Sequence, residues 1–426
     1  MRTTTIPAGT RVLIGVNAVV ALSFGLIAPA LPSFARSFRV SYTAICAMVS
    51  IFAVARLVCA CVSGRAISRL GERRGYLAAL VIIAASTLAC AFARSYPELL
   101  MLRAVCGIGS AMFTGSVWPM VIRSAPAEIR GRVLGLLPAG FLLGNVAGPL
   151  VGATLAGFGT HAPFVIYAIA VLLLVPVVLA TKPREVAAVT AEDSHAADSR
   201  ADTAPMQEPM TMRTALRHRT YRAVIASSFA SGWASMGVRV AVVPLLIAAG
   251  LGASASMAGM ILVVYTVGNV TAIWLAGRIS GRYGRRPIMR IGLAMVTAAT
   301  AFLGFAPNLA VAMALSGCVG IGSGLFSPTH QEALGDILDG RAHGGSALAG
   351  YGIASDLGAI GGPLLVGFVA DQVGFGPAFL LTATVLAVAL GLWFVAIETA
   401  PAVTASLRAR RADTAIVRTQ DTRPTH

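Results

Sequence analysis

Four charged side chains, Arg56, Arg103, Arg239 and Asp356, stand inside long apolar stretches of a 426-residue chain. Charges in such surroundings carry protons, recognise an opposite charge, or pair with one another. Asp356 is the one carboxylate well inside a stretch, so it can shuttle a proton, cap a neighbouring helix or pair with Arg56. Arg56 lies about two turns from the end of its stretch and can also snorkel to an interface. Arg239, five residues before Pro244, can snorkel or meet an anionic group. His330, beside Gln331 and Glu332, titrates near neutral pH when unperturbed, though an interfacial His closing a helix end is the plainer reading. The six cysteines (Cys46, Cys59, Cys61, Cys90, Cys106, Cys318) all lie in apolar stretches without CxxC spacing, which reads as small packing residues with free thiols. No metal site and no cofactor is expected. The chain has no HExxH, no G-x-x-x-x-G-K-[ST] loop and no nucleophile–base constellation, which disfavours an ATP-driven pump and an enzyme.

The elements that position these groups follow from composition. Apolar residues make up 57% of the chain and charged residues 12%, against about a quarter charged in an ordinary soluble domain. Lipid must cover most of the surface. A bilayer core needs about 20 apolar residues per helix. The apolar runs predict spans at 12–34, 42–63, 75–94, 98–122, 133–158 and 162–181, then 222–248, 257–276, 288–306, 308–331, 346–370 and 374–396. The first run imitates a signal peptide, but eleven more behind it mark it as a retained helix. The domains expected are a six-helix bundle at 12–181, a largely disordered cytoplasmic linker at 182–220, a second six-helix bundle at 221–397, and a tail at 398–426. The linker is rich in Ala, Asp, Glu, Ser, Thr and Pro and cannot bury a core of its own.

The net charge of +16 raises the possibility of nucleic-acid binding, but the arginines fall in short runs between spans and form no basic, aromatic-interleaved face. With the N-terminus inside, and with Arg222 and Arg290 at the cytoplasmic starts of their spans counted there, 27 of the 33 basic residues lie on the cytoplasmic side, three outside (Arg36, Arg39, Arg94) and three deeper within spans (Arg56, Arg103, Arg239). The positive-inside rule then puts both termini in the cytoplasm.

The two halves repeat. Gly64 to Arg74 recurs as Gly277 to Arg286 at an offset of 213, Pro32 matches Pro244 at 212, and Gly148-Pro149 matches Gly362-Pro363 at 214. Equal orientation makes this a parallel repeat of six helices plus six. At this point the sequence resembles the major facilitator superfamily over about 12–396. Its loop signature, G-x-x-x-D-R-x-G-R-R/K, is met by Gly64, Arg69, Gly71, Arg73 and Arg74, and echoed by Gly277, Arg282 and Gly284. Ser68 stands where the family has Asp, with Gly281 at the matching place in the second half, and Glu72 stands where it has a basic residue. Arg103, Gly107 and Gly109 fit R-x-x-x-G-x-G on the fourth span; Gly144, Gly148, Pro149 and Gly152 fit G-x-x-x-G-P-x-x-G on the fifth. The last is typical of the 12-helix drug/proton antiporter branch.

The resemblance implies an all-α membrane fold of two parallel six-helix bundles that rock around a central cavity. It implies a proton-coupling role for Arg103 and a gating role for the loop. The loop lacks its acidic member, and Glu72 is the nearest substitute. The loop arginines also satisfy headgroup contact with membrane lipid, and the helix-5 glycines serve close packing or a hinge against helix 8. Spans 1, 4, 7 and 10 line the cavity in this fold, giving Asn17, Phe24, Trp118, Trp233 and Phe326 as substrate-facing, with Tyr265 and Asn269 on the eighth span joining them. Aromatics with few charges suit amphipathic or weakly anionic molecules better than sugars. The function expected is a secondary transporter of the cytoplasmic (inner) membrane, monomeric, exporting small organic compounds by proton antiport. An uptake permease or sugar symporter of the same fold, and a sensor that binds without transport, are the alternatives.

Overall fold

The computed structural model describes residues 6, 8–26, 38–124, 130–155, 158–159, 161–180, 212–338 and 345–400; among them there are helices and turns but no strand. In chain order the helices are α1 (Ala8–Leu26), α2 (Tyr42–Leu70), α3 (Glu72–Ala91), α4 (Tyr96–Ser124), α5 (Arg130–Leu155) and α6 (Ala162–Ala180). A short helix, Met212–Arg217, follows at the end of the segment expected to be linker. Then come α7, α8 (Ala255–Tyr283), α9 (Arg285–Leu303), α10 (Leu309–Leu338), α11 (Gly345–Val373) and α12 (Phe375–Val395). The α7 helix is composite, with Arg219–Ser231 and Arg239–Leu245 α-helical and Gly232–Val238 and Leu246–Gly250 π-helical. Ten of the described helices are long and apolar enough to cross a membrane, and α1 carries a shorter apolar stretch, Gly9–Leu22. The molecule is an all-α membrane protein of two parallel six-helix bundles.

The expected loop at 64–74 is mostly helix. Arg65 and Arg69 end the apolar run but do nothing to stop a helix, so α2 continues to Leu70 and only Gly71, at φ 80°, breaks it. Gly284, at φ 99°, does the same between α8 and α9. Positive φ is open to glycine at little cost, so each turn needs one residue. Likewise α10 reaches Leu338, seven residues past its apolar run. Starts are set by matching side chains: the Ser41 hydroxyl accepts from the Ala44 N–H, and Ser254 accepts from Met257.

Packing repeats with the sequence. In the first half α5 lies on α1, and α4 on α2 and α3; in the second α11 lies on α7, and α10 on α8 and α9. Glycine makes these approaches possible. A Cβ at Gly107 would collide with the Phe52 carbonyl, and one at Gly320 with the Tyr265 carbonyl. A Cβ at Gly109 would lie 3.2 Å from the Ile83 nitrogen, and one at Gly322 3.0 Å from that of Val296. All four positions and their neighbours are related by the offset of 213. Gly140 and Gly144 press on Ile14 and Ala18 of α1. That face of the helix-5 motif therefore packs inside its own bundle, because the missing side chains match the α1 backbone. Gly148, Pro149 and Gly152 are buried.

Candidate functional site

The two bundles meet along α2 and α11, and along α5 and α8. Since α8 repeats α2 and α11 repeats α5, these are two copies of one seam around a pseudo-twofold axis. The α2–α11 seam is antiparallel and closes in steps from the start of α2. Asp371 meets Tyr42 and Thr43, Gly367 lies against Cys46, the Ser50 hydroxyl donates to the Ile360 carbonyl at 2.8 Å, and Arg56 forms an ion pair with Asp356.

Arg56 stands 14 residues from each end of α2, about 21 Å at helical rise. It is central in the helix and lies four residues before the end of the apolar, membrane-crossing stretch Tyr42–Ala60. The pair joins Nη2 of Arg56 to Oδ1 of Asp356, with side-chain exposures of 32% and 20%. An unpaired charge costs ~3 kcal/mol at the centre of a span and less towards its end; here each charge supplies the other's partner across the seam.

The other two arginines sit over aromatic rings at repeat-related places. The Arg103 guanidinium, on α4, lies 4.9 Å from the centroid of Phe52, and its Nε is buried without a hydrogen-bond acceptor. That of Arg239, on α7, lies 4.6 Å from the Tyr265 ring, while its Nε donates to the Ser235 carbonyl at 2.9 Å. Phe52 and Tyr265 are 213 apart, so each bundle holds one cation on the same ring position.

Of the expected cavity residues, Trp118 is 40% exposed on α4, next to exposed Thr114. Most of the others have described packing contacts. Trp233 is 4% exposed, lies over Gly361 and Gly362, and donates from Nε1 to Thr382 at 3.3 Å. Phe326 is fully buried against α9, Tyr265 sits beneath Arg239, and Asn269 donates from Nδ2 to the Gly320 carbonyl at 3.4 Å. Asn17 is buried on α1, and the side chain of Phe24 lies outside the described residues. Glycines opposite Trp233 make room for its ring.

His330 is buried rather than interfacial, because α10 continues two turns beyond it. Its Nδ1 faces the Phe326 carbonyl at 2.9 Å and so carries the proton, leaving Nε2 to accept from the Tyr351 hydroxyl at 2.8 Å. Ser228 donates to the Tyr351 carbonyl at 2.8 Å, which ties α7, α10 and α11 together.

At the arginine-rich end, Arg73 donates to the Leu179 carbonyl at 2.9 Å. Its repeat mate Arg286 bonds the Trp393 and Phe394 carbonyls at the end of α12. Arg69 and Arg74 are exposed, as is Gly277; the side chain of Arg282 and the surroundings of Gly64 lie outside the described residues. The acid missing from the loop of the second half is supplied from elsewhere. Arg285 binds Glu332 and, at 3.2 Å, Asp336, both on α10. Glu398 accepts from the backbone N–H of Arg285 at 2.8 Å and of Arg286 at 3.1 Å, capping α9. Sequence reasoning missed these carboxylates; the signal available was the i,i+4 spacing of Glu332 and Asp336 at a helix end.

Comparison with known proteins agrees with this architecture. The family model "Major Facilitator Superfamily" matches residues 13–238 and again 224–420. The chain is 33% identical to the class C tetracycline resistance protein of Escherichia coli over 165 residues, 37% of this chain and 40% of that one. It is 28% identical to multidrug resistance protein 2 of Bacillus subtilis over 37% of this chain and 39% of that one. Over 76% of this chain and 78% of the other it is 25% identical to the putative multidrug resistance protein MdtD of Escherichia coli. Among solved structures, the D-xylose-proton symporter superposes with a TM-score of 0.70 at 18% identity, covering 92% of this chain and 98% of that one. An inward-facing, occupied bacterial homologue of the human lysosomal transporter Spinster does so with 0.72 at 15%, covering 91% and 95%. With both halves matched by the same model and joined along two repeat-related seams, the chain belongs to the major facilitator superfamily of membrane transporters.

Proposed function

We propose that this transporter exports small organic, amphipathic compounds in exchange for protons, and that the Arg56–Asp356 pair is the coupling site. The observation that carries the reading is the placement of that pair: central on α2, and spanning the two bundles that must move apart. The relatives named for multidrug and tetracycline resistance support the direction. The arginine-rich turns at Gly71 and Gly284 support a cytoplasmic placement of their end of the bundle, with the start of α2 and the end of α11 facing outward.

With Asp356 ionised, the pair is neutral and holds the seam. A proton on Asp356 removes the attraction and leaves Arg56 as a lone cation within the seam, which favours separation of α2 from α11 and hydration of the seam. Release of the proton restores the pair. Substrate meets the exposed Trp118 face of α4. Arg103 and Arg239 flank the seam as fixed cations and disfavour cationic cargo.

The test is flux into and out of proteoliposomes over a pH series. Wild-type protein is expected to exchange substrate for protons with a marked pH dependence, and Asp356→Asn to transport at a rate that no longer follows pH. An unchanged profile in the variant would remove Asp356 from coupling; substrate and protons moving in the same direction would replace export by uptake.

A further inference from the structure

We propose that Asp371 is a positioning residue for the transport cycle: a carboxylate of one bundle that caps the first helix turn of the other, latching the start of α2 to the end of α11. It rests on the alternating-access reading above but on neither the substrate nor the coupling ion.

A helix start leaves its first N–H groups without intrahelical acceptors, and at α2 they are satisfied from two sources. Ser41, the cap residue on the same chain segment, takes the Ala44 N–H at 3.2 Å. Asp371, 328 residues away from Thr43, takes the rest. Oδ1 accepts from the Tyr42 N–H at 2.8 Å, and Oδ2 accepts from the Thr43 N–H at 2.8 Å and the Thr43 hydroxyl at 2.5 Å. Both carboxylate oxygens thus point at a helix N-terminus, where a negative charge is favoured by the backbone dipoles. The contact opens only if the bundles part.

The repeat provides an internal control. Ser254 at the start of α8 stands 213 residues after Ser41 and caps its helix in the same way. The position matching Asp371 at the offset of 214 is Gly157, which has no carboxylate to offer. Among the described residues the repeat mate is capped by serine alone, so helix capping of this kind does not require a second residue. Asp371 is an addition to one seam only, at the end opposite the arginine-rich turns. It ties shut the end of the seam that Arg56 and Asp356 close at its middle.

Spin labels at Arg94→Cys and Pro307→Cys, exposed turn positions at this end of the two bundles, would report the gap in protein whose six native cysteines are replaced by alanine. Asp371→Ala is expected to raise the ratio of wide to narrow separations about tenfold, in line with the loss of charge-assisted hydrogen bonds. Asp371→Asn should give part of that shift, Thr43→Val a smaller one in the same direction, and Asp371→Glu should restore the parent distribution. A merely structural role would lower the melting temperature and leave the ratio alone. Should Asp371→Ala not accumulate, the Asn and Val variants decide. A distribution identical to the parent's in folded Asp371→Asn and Thr43→Val protein would overturn the latch. The measurement uses neither substrate nor proton gradient, so failure of the coupling reading at Asp356 leaves it intact.

Discussion

Among the described residues, the Arg56–Asp356 pair is the contact in which the strongest sequence signal, charge inside an apolar run, became a bridge between bundles. Removing one partner leaves the other charge uncompensated, whereas removing both leaves none. The double variant is therefore expected to lower the melting temperature by less than the sum of the losses in Arg56→Ala and Asp356→Ala. A coupling of ~1–3 kcal/mol is expected, discounted for the partial exposure of both groups. Additive losses in detergent-solubilised protein would show that water, not the partner, solvates each charge. Arg103 poses a different question. Its guanidinium has a ring beneath it and an unpartnered Nε, so packing alone does not account for it. Arg103→Ala should abolish export while the protein still reaches the membrane, and full export by the variant would return Arg103 to a packing role. The pairing of Asp356 with Arg56 was one of the roles open from sequence. Asp371 was invisible there, because a carboxylate at a span end reads as an ordinary interfacial residue until the facing helix is known.

At the scale of the helices, glycine decides which surfaces touch. A Cβ at Gly107 or Gly320 would enter a neighbouring carbonyl, yet at Gly277 it would meet nothing within 4 Å. Gly107→Ala and Gly320→Ala should each lower stability by about 1–3 kcal/mol through overpacking. Gly277→Ala should be neutral or gain up to ~1 kcal/mol from helix propensity. Thermal unfolding of the three variants measures this, and equal effects at all three sites would refute the repeat-related packing. The R-x-x-x-G-x-G pattern was legible in the chain, but its mate around Gly320 was not, since the arginine there is Ser316. Helix ends were read short for a similar reason. Hydropathy marks where lipid stops, whereas a helix stops where the backbone is turned, at Gly71 and Gly284. The packing of the aromatic residues was not legible, because a ring's neighbour across the bundle, glycine in the case of Trp233, cannot be inferred from the sequence around the ring.

For the whole molecule, the offset near 213 carried the most information, since it implied both bundles, their parallel orientation and the twofold relation of the seams. Orientation in the membrane rests on a separate argument, the arginine count. If the turns at Gly71 and Gly284 are cytoplasmic, cysteines placed at exposed Arg74 and Tyr283 should resist a membrane-impermeant maleimide in intact cells and react only after permeabilisation. Cysteines at Arg94 and Pro307 should react at once. The two turns must behave alike, because α2 and α8 run parallel in the repeat; a split result would contradict the fold itself. A uniform inversion would leave the fold standing but place the Asp371 contact on the cytoplasmic face. The closed seam would then bar substrate from inside the cell, and the ion pair at its middle would receive its proton from the opposite compartment.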